Sequence, residues 1–151
     1  MKIMITGGAG FIGSHLCDEF VGSGDQVVVI TRDSSTLANL SHLEGKIIVE
    51  RADITDYDHL GAIVEKHKPD TIIHLAGETS HSKSFENPLY DVDANSKSTL
   101  CILEKIKQLN LKCRFILGST FIVIGRPTSL PVNEESQCNP TTRSEEHTSE
   151  L

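Results

Sequence analysis

The chain has 151 residues, 38% of them apolar and 23% charged, with a formal net charge of −7. That is enough for one domain with a sizeable core, and the acidic balance, without any basic stripe or cluster, argues against a nucleic-acid partner. No apolar run approaches the roughly 18 residues of a membrane span, and Met1 leads directly into an apolar strand rather than a signal peptide, so no membrane partner is expected and the chain is read as cytoplasmic.

The first predicted element is a strand at 3–6, IMIT, running through the glycine turn into an amphipathic helix from Phe11 to Val21. Gly7, Gly10 and Gly13 punctuate that junction. Gly7 lets the chain turn out of the strand, Gly10 omits a Cβ where a pyrophosphate would approach, and Gly13 allows close packing of the helix. The N-terminal amides of the helix, at Phe11, Ile12 and Gly13, would then face the anion together with the positive end of the helix dipole. A purely structural glycine turn is the alternative. Further strands are expected at 27–30 (VVVI), 47–50 (IIVE), 71–76 (TIIHLA) and 115–118 (FILG), with helices from Tyr57 to His67 and from Pro88 to Leu109. In the last helix Val92, Asn95, Thr99, Ile102, Ile106 and Leu109 form one stripe. Strands that are continuously apolar, alternating with helices, indicate an α/β fold with a doubly wound, parallel Rossmann-type sheet in the order 3-2-1-4-5, with ligand outside the carboxyl ends of the strands. Cys17, Cys101, Cys113 and Cys138 are too scattered for a zinc pattern and read as reduced thiols; the seven histidines suggest no metal site, and His74 reads as a packed residue.

An acid accepting from the adenosine ribose of NAD would stand at the end of the second strand, roughly twenty residues past the glycines. Thr31 occupies that place and Arg32 follows. A guanidinium there pairs bidentately with a 2′-phosphate, which leans the cofactor towards NADP over NAD. Asp33 reaching the ribose would favour NAD, and Arg32 as an exposed loop charge would favour neither. Asp53, followed by Ile54 in RADITD, is placed to accept from the adenine amino group; an N-cap or turn role is the alternative.

TGGAGFIGSH, the Asp53 segment, HLAG at 74–77, the pattern Ser84, Pro88, Asn95, and GSTFIVIG at 118–125 followed by LPVNEES resemble the extended short-chain dehydrogenase/reductase family. Its members include nucleotide-sugar epimerases, dehydratases and reductases. The resemblance, from Lys2 to about Thr142, implies that Leu75, Ala76 and Gly77 line the cofactor, that Asn95 faces the active site, and that Thr79 lies near the nicotinamide ribose or substrate. It implies a nucleotide-sugar substrate and a homodimer for a full-length parent. Ser119 and Thr120 match the hydroxyl positions of the loop after the fifth strand, with Thr120 as the catalytic hydroxyl; a hydroxyl that merely satisfies the strand end is the alternative. Phe121 and Ile122 stand where the family's 4,6-dehydratases carry acids, which argues against a typical dehydratase, and Ile124 replaces the loop's usual Tyr.

The family's proton-transfer element, Tyr-x-x-x-Lys, does not occur in this sequence: Tyr57 is followed four residues on by Gly61, and Tyr90 by Ala94. The family places that element just past Thr142, where this chain reads RSEEHTSEL. That string matches the translated start of a common sequencing-library adapter. Residues 1–142 are therefore expected to be the NAD(P)-binding N-terminal part of a longer epimerase- or reductase-type enzyme, truncated before the last strands and the substrate region, with Arg143–Leu151 a non-native tail. On that expectation the fragment has no turnover of its own. A non-catalytic dinucleotide-binding regulatory module is the rival reading.

Overall fold

The computed structural model describes residues 1–125, 127 and 129–139. Five parallel strands, β1 (Lys2–Thr6), β2 (Gln26–Thr31), β3 (Ile47–Arg51), β4 (Thr71–His74) and β5 (Arg114–Leu117), form one sheet in the order β3-β2-β1-β4-β5. This is the order expected from the alternation of strands and helices. The chain leaves β1 towards β2 and β3 on one side and later fills β4 and β5 on the other. The crevice where the order reverses lies at the carboxyl end of β1.

Residues of alternating parity along the central strands face opposite layers. Met4, Val28, Ile30 and Ile72 pack on one face under α2 (Tyr57–His67) and α5 (Ser98–Gln108), with Leu60, Ile63, Val64 and Ile102 closing that core. Ile3, Ile5, Val27, Val29 and Ile73 pack on the other face against Cys17 of α1 (Phe11–Gly22) and against Leu40 and Leu43 of a 3-10 turn at Ala38–Leu43. Burial on both faces explains the unbroken apolar runs of β1, β2 and β4. The edge strands depart from it: β3 is half-buried throughout, and β5 alternates exposed and half-buried residues.

Helix α2 has the predicted bounds, and its local chemistry says why. Asp56 caps it by accepting the His59 N–H at 3.1 Å, and Lys68, at φ 45°, ends it in the left-handed region with its N–H on the Val64 carbonyl. All four cysteines are free, and burial pushes the Cys17 thiol up to about 11. No helix among the described residues is long and apolar enough to cross a membrane.

Two of the expected elements differ from expectation by more than one residue at an end. β4 ends at His74 rather than residue 76: the Leu75 N–H is shared between the Thr6 carbonyl at 3.3 Å and Thr6 Oγ1 at 3.1 Å, and the Ala76 N–H turns onto Thr6 Oγ1 at 3.1 Å. The helix expected over Pro88–Leu109 is three pieces: α4 (Pro88–Val92), which follows the short α3 (His81–Glu86), then a π-helical turn at Asp93–Lys97, then α5. The hydroxyls of Ser98 and Thr99 fold back onto the carbonyls of Ala94 and Asn95, at 2.6 and 3.0 Å. A π-turn carries one extra residue, and it brings Ala94 and Ser98 into the core beside Thr99 and Ile102. Asn95, which the simple stripe would bury, is only half-buried and lines the cleft.

Candidate functional site

The chain leaves β1 through a left-handed Gly7, φ 70°, whose N–H binds the Ile30 carbonyl at 2.9 Å. A Cβ on Gly13 would come within 2.5 Å of the Gly7 carbonyl oxygen and 2.6 Å of Gly8 Cα, so the first turn of α1 sits directly on the glycine turn. At Gly10 only the Gly7 oxygen approaches, at 3.2 Å, and the open side faces a cleft. Among the described residues no side chain caps α1, and no acidic residue stands in its first turn, so the amides there remain directed at that cleft.

The cleft has two continuous lobes. One, of about 680 Å³, is lined by Gly7, Gly10, Phe11, Ile12, Gly13, Asn95, Ser119 and Thr120 among others. The second, of about 650 Å³, is lined by Thr31, Arg32, Ser35, Ala52, Asp53, Ile54 and Ala94. Leu75, Ala76, Gly77 and Thr79 line both. Every site residue expected from the sequence thus lies on one crevice at the carboxyl ends of the strands.

Three arrangements in and around it were not foreseeable from spacing. Asn95 Oδ1 accepts the Glu78 N–H at 2.8 Å while its Nδ2 donates to the Glu78 carbonyl at 3.1 Å and to Asp91 Oδ1 at 2.9 Å. The amide therefore clamps the loop after β4, and Gly77 leaves the room it needs, since a Cβ there would meet Asn95 Oδ1 at 2.5 Å. Arg51, at the end of β3, donates to the carbonyls of Arg32 and Ser35 at 2.7 and 2.9 Å and so braces the loop after β2 from beneath. His74 is 1% exposed, and burial alone pushes its imidazole down to about 4, so the ring is neutral at physiological pH.

Asp53 makes an Asx-type turn, its Oδ1 accepting the N–H and hydroxyl of Thr55 at 2.9 and 2.8 Å; the α2 cap is Asp56, three residues on. Ser119 and Thr120 follow β5 and precede a 3-10 turn at Phe121–Ile124. The expectation for Arg143–Leu151 falls outside the described residues.

A doubly wound sheet with a glycine turn, an uncapped helix start and a crevice at the switch point defines a Rossmann-type domain of the NAD-binding class. Residues 4–143 match the family model described as GDP-mannose 4,6 dehydratase, and the chain belongs to that nucleotide-sugar epimerase/dehydratase family, within the extended short-chain dehydrogenases/reductases. It is 35% identical over 147 residues to the UDP-glucose 4-epimerase of Yersinia enterocolitica, covering 94% of this chain and 44% of that protein. The UDP-Glc/GlcNAc 4-epimerase structure from Campylobacter jejuni superposes with a TM-score of 0.88 at 28% identity, over 99% of this chain and 47% of that one. The UDP-glucose 4-epimerase structure from Bifidobacterium longum, in complex with NAD+ and UDP, gives 0.84 at 29% identity, over 96% and 44%. The chain spans under half the length of each relative.

Proposed function

We propose that this chain is the cofactor-binding part of an NAD-dependent epimerase- or reductase-type enzyme acting on a nucleotide-linked sugar. The observation that carries the proposal is the single crevice holding the glycine turn, Asp53 and the Leu75–Gly77 backbone at one end of the sheet. In it the pyrophosphate lies on the amides of Phe11, Ile12 and Gly13, the adenine amino group on Asp53 beside Ile54, and the nicotinamide end runs past Leu75, Ala76, Gly77 and Thr79 towards Asn95. NAD supplies hydride exchange with a sugar carbon when bound. Thr120, with Ser119 beside it, orients the sugar hydroxyl, and Phe121 and Ile122 supply none of the acids a water elimination needs.

NAD is preferred here over NADP because relatives such as the Bifidobacterium longum enzyme hold NAD. The lean towards NADP rests on Arg32 alone. Its loop is braced through backbone carbonyls by Arg51, which commits that second guanidinium to the loop rather than to a 2′-phosphate. Proton transfer requires a Tyr-x-x-x-Lys element, which this sequence does not contain.

Fluorescence titration with NADH and NADPH, on the chain and on Arg32→Asp, tests the assignment. Saturable NADH binding is expected, with NADPH weaker still after the substitution. Absence of binding to either cofactor would refute the dinucleotide reading, and a wild-type preference for NADPH that Arg32→Asp abolishes would restore the phosphate-pairing role.

A further inference from the structure

Thr6, His74 and Ser98 stand where β1, β4 and α5 meet. Thr6 and His74 are register partners across the sheet, and all three side chains are buried. Thr6 Oγ1 accepts the Ala76 N–H at 3.1 Å and, also at 3.1 Å, the Leu75 N–H, which is shared with the Thr6 carbonyl at 3.3 Å, and it lies 2.7 Å from His74 Nδ1. A hydroxyl has one proton and two acceptor positions. With both acceptor positions filled, its proton points at Nδ1, so that nitrogen accepts and the neutral ring carries its proton on Nε2. Nε2–H then donates to Ser98 Oγ at 3.0 Å, and the Ser98 hydroxyl donates to the Ala94 carbonyl at 2.6 Å. Reversing the direction would make Thr6 Oγ1 accept three protons and leave its own unpaired, a large cost for a hydroxyl that is fully buried.

The three segments joined by this chain of hydrogen bonds all line the cleft: Gly7 directly after Thr6, Leu75–Ala76, and Ala94 in the π-turn. A Cβ on Gly7 would lie only 3.0 Å from the Ala76 nitrogen, so the glycine turn and the Leu75–Ala76 backbone are in direct contact. We propose that Thr6 and His74 are positioning residues, which through one directed hydrogen-bond chain hold the Leu75–Ala76 backbone and the Ala94 turn as the common wall of the dinucleotide cleft. Only the identity of the occupant rests on the function proposed above. One imidazole is suited to this task because its two nitrogens, one accepting and one donating, meet partners on opposite sides.

The test uses the full chain, nitrogen-15 labelled. Long-range proton–nitrogen NMR of the imidazoles is expected to show His74 as the Nε2–H tautomer with a bare Nδ1, unchanged from about pH 7.5 to about pH 5.5. An Nδ1–H tautomer, or a ring exchanging between the two, overturns the proposal. Thr6→Val should accelerate amide exchange at Ala76, and less at Leu75, which keeps the Thr6 carbonyl, and should weaken NADH binding, the Ala76 and NADH effects each about tenfold for the loss of roughly one hydrogen bond, while Thr6→Ser restores both. A merely structural role predicts the opposite order, because Val fills the space of Thr and Ser does not. Should Thr6→Val fail to fold, Ser98→Ala removes the far acceptor and must also loosen the Leu75 and Ala76 amides; unchanged protection there overturns the proposal. If NADH binds Thr6→Val as well as wild type, the positioning role fails and the cofactor assignment stands. If wild type binds no NADH while the tautomer and exchange results hold, the cofactor assignment fails and the positioned wall stands.

Discussion

Lowering the pH from about 7 to about 5 should destabilise the chain by about 2 kcal/mol through His74 alone. Its imidazole titrates at about 4 in the fold against an ordinary value of 6.5, because the ring is buried among β1, β4 and α5 and no charge among the described residues offsets the loss of water. Between those two values the unfolded chain binds a proton that the folded chain refuses. Stability contributed by the neutral ring is therefore present above 6.5, falls as the pH drops through that value, and is lost by about pH 4. A displacement of about 2.5 units sets an upper limit of about 3 kcal/mol, of which about 2 kcal/mol falls between pH 7 and pH 5. Urea unfolding at the two pH values, for wild type and His74→Gln, isolates the term. Glu50, held below its ordinary value by Lys66 and His67, also loses stability on acidification, but it stands on edge strand β3 and cancels between the two proteins. Equal pH dependence in both proteins would refute the reasoning, since the neutral, buried ring would then contribute nothing.

Gly13→Ala should cost about 1–3 kcal/mol in urea unfolding and weaken NADH binding in fluorescence titration, because its methyl would strike the glycine-turn backbone. Gly22→Ala at the other end of α1, where the Cβ meets nothing within 4 Å, is the control and should be neutral or slightly stabilising. Leu60→Ala, which removes a fully buried side chain of α2, should cost about 2–5 kcal/mol by the same unfolding measurement and leave NADH affinity little changed in the folded fraction. The chain should show no oxidation or epimerisation of a UDP-sugar with NAD above a Thr120→Val control in a coupled absorbance assay, since no Tyr-x-x-x-Lys is present to move the proton.

The parts of this molecule that were legible in the sequence are those fixed by local pattern. Runs such as VVVI placed the central strands, their alternation with helices gave the sheet order, and Gly7 announced a turn that requires positive φ. What stayed hidden depends on register between distant segments. Thr6 and His74 are 68 residues apart and meet only through the pairing of β1 with β4. The π-turn was invisible because its signal, two hydroxyls at Ser98 and Thr99 folding back onto the preceding turn, is indistinguishable in sequence from ordinary helical serine and threonine. Nothing in the sequence singles out Arg51, and only the approach of the loop after β2 shows what it holds. Asp91 is bonded to Asn95, a pair four residues apart that helical spacing brings together, but its burial at 3% exposure is set by the fold around it and not by that spacing.

Backbone amide NMR shifts followed during titration of the chain with NAD test the central claim most directly. Binding in the crevice predicts saturable shifts at Phe11, Ile12 and Gly13, at Asp53 and Ile54, and at Leu75–Gly77, with Ser119 and Thr120 responding at the nicotinamide end. Shifts that avoid these segments, or none at saturating NAD, would contradict the assignment of this cleft to a dinucleotide.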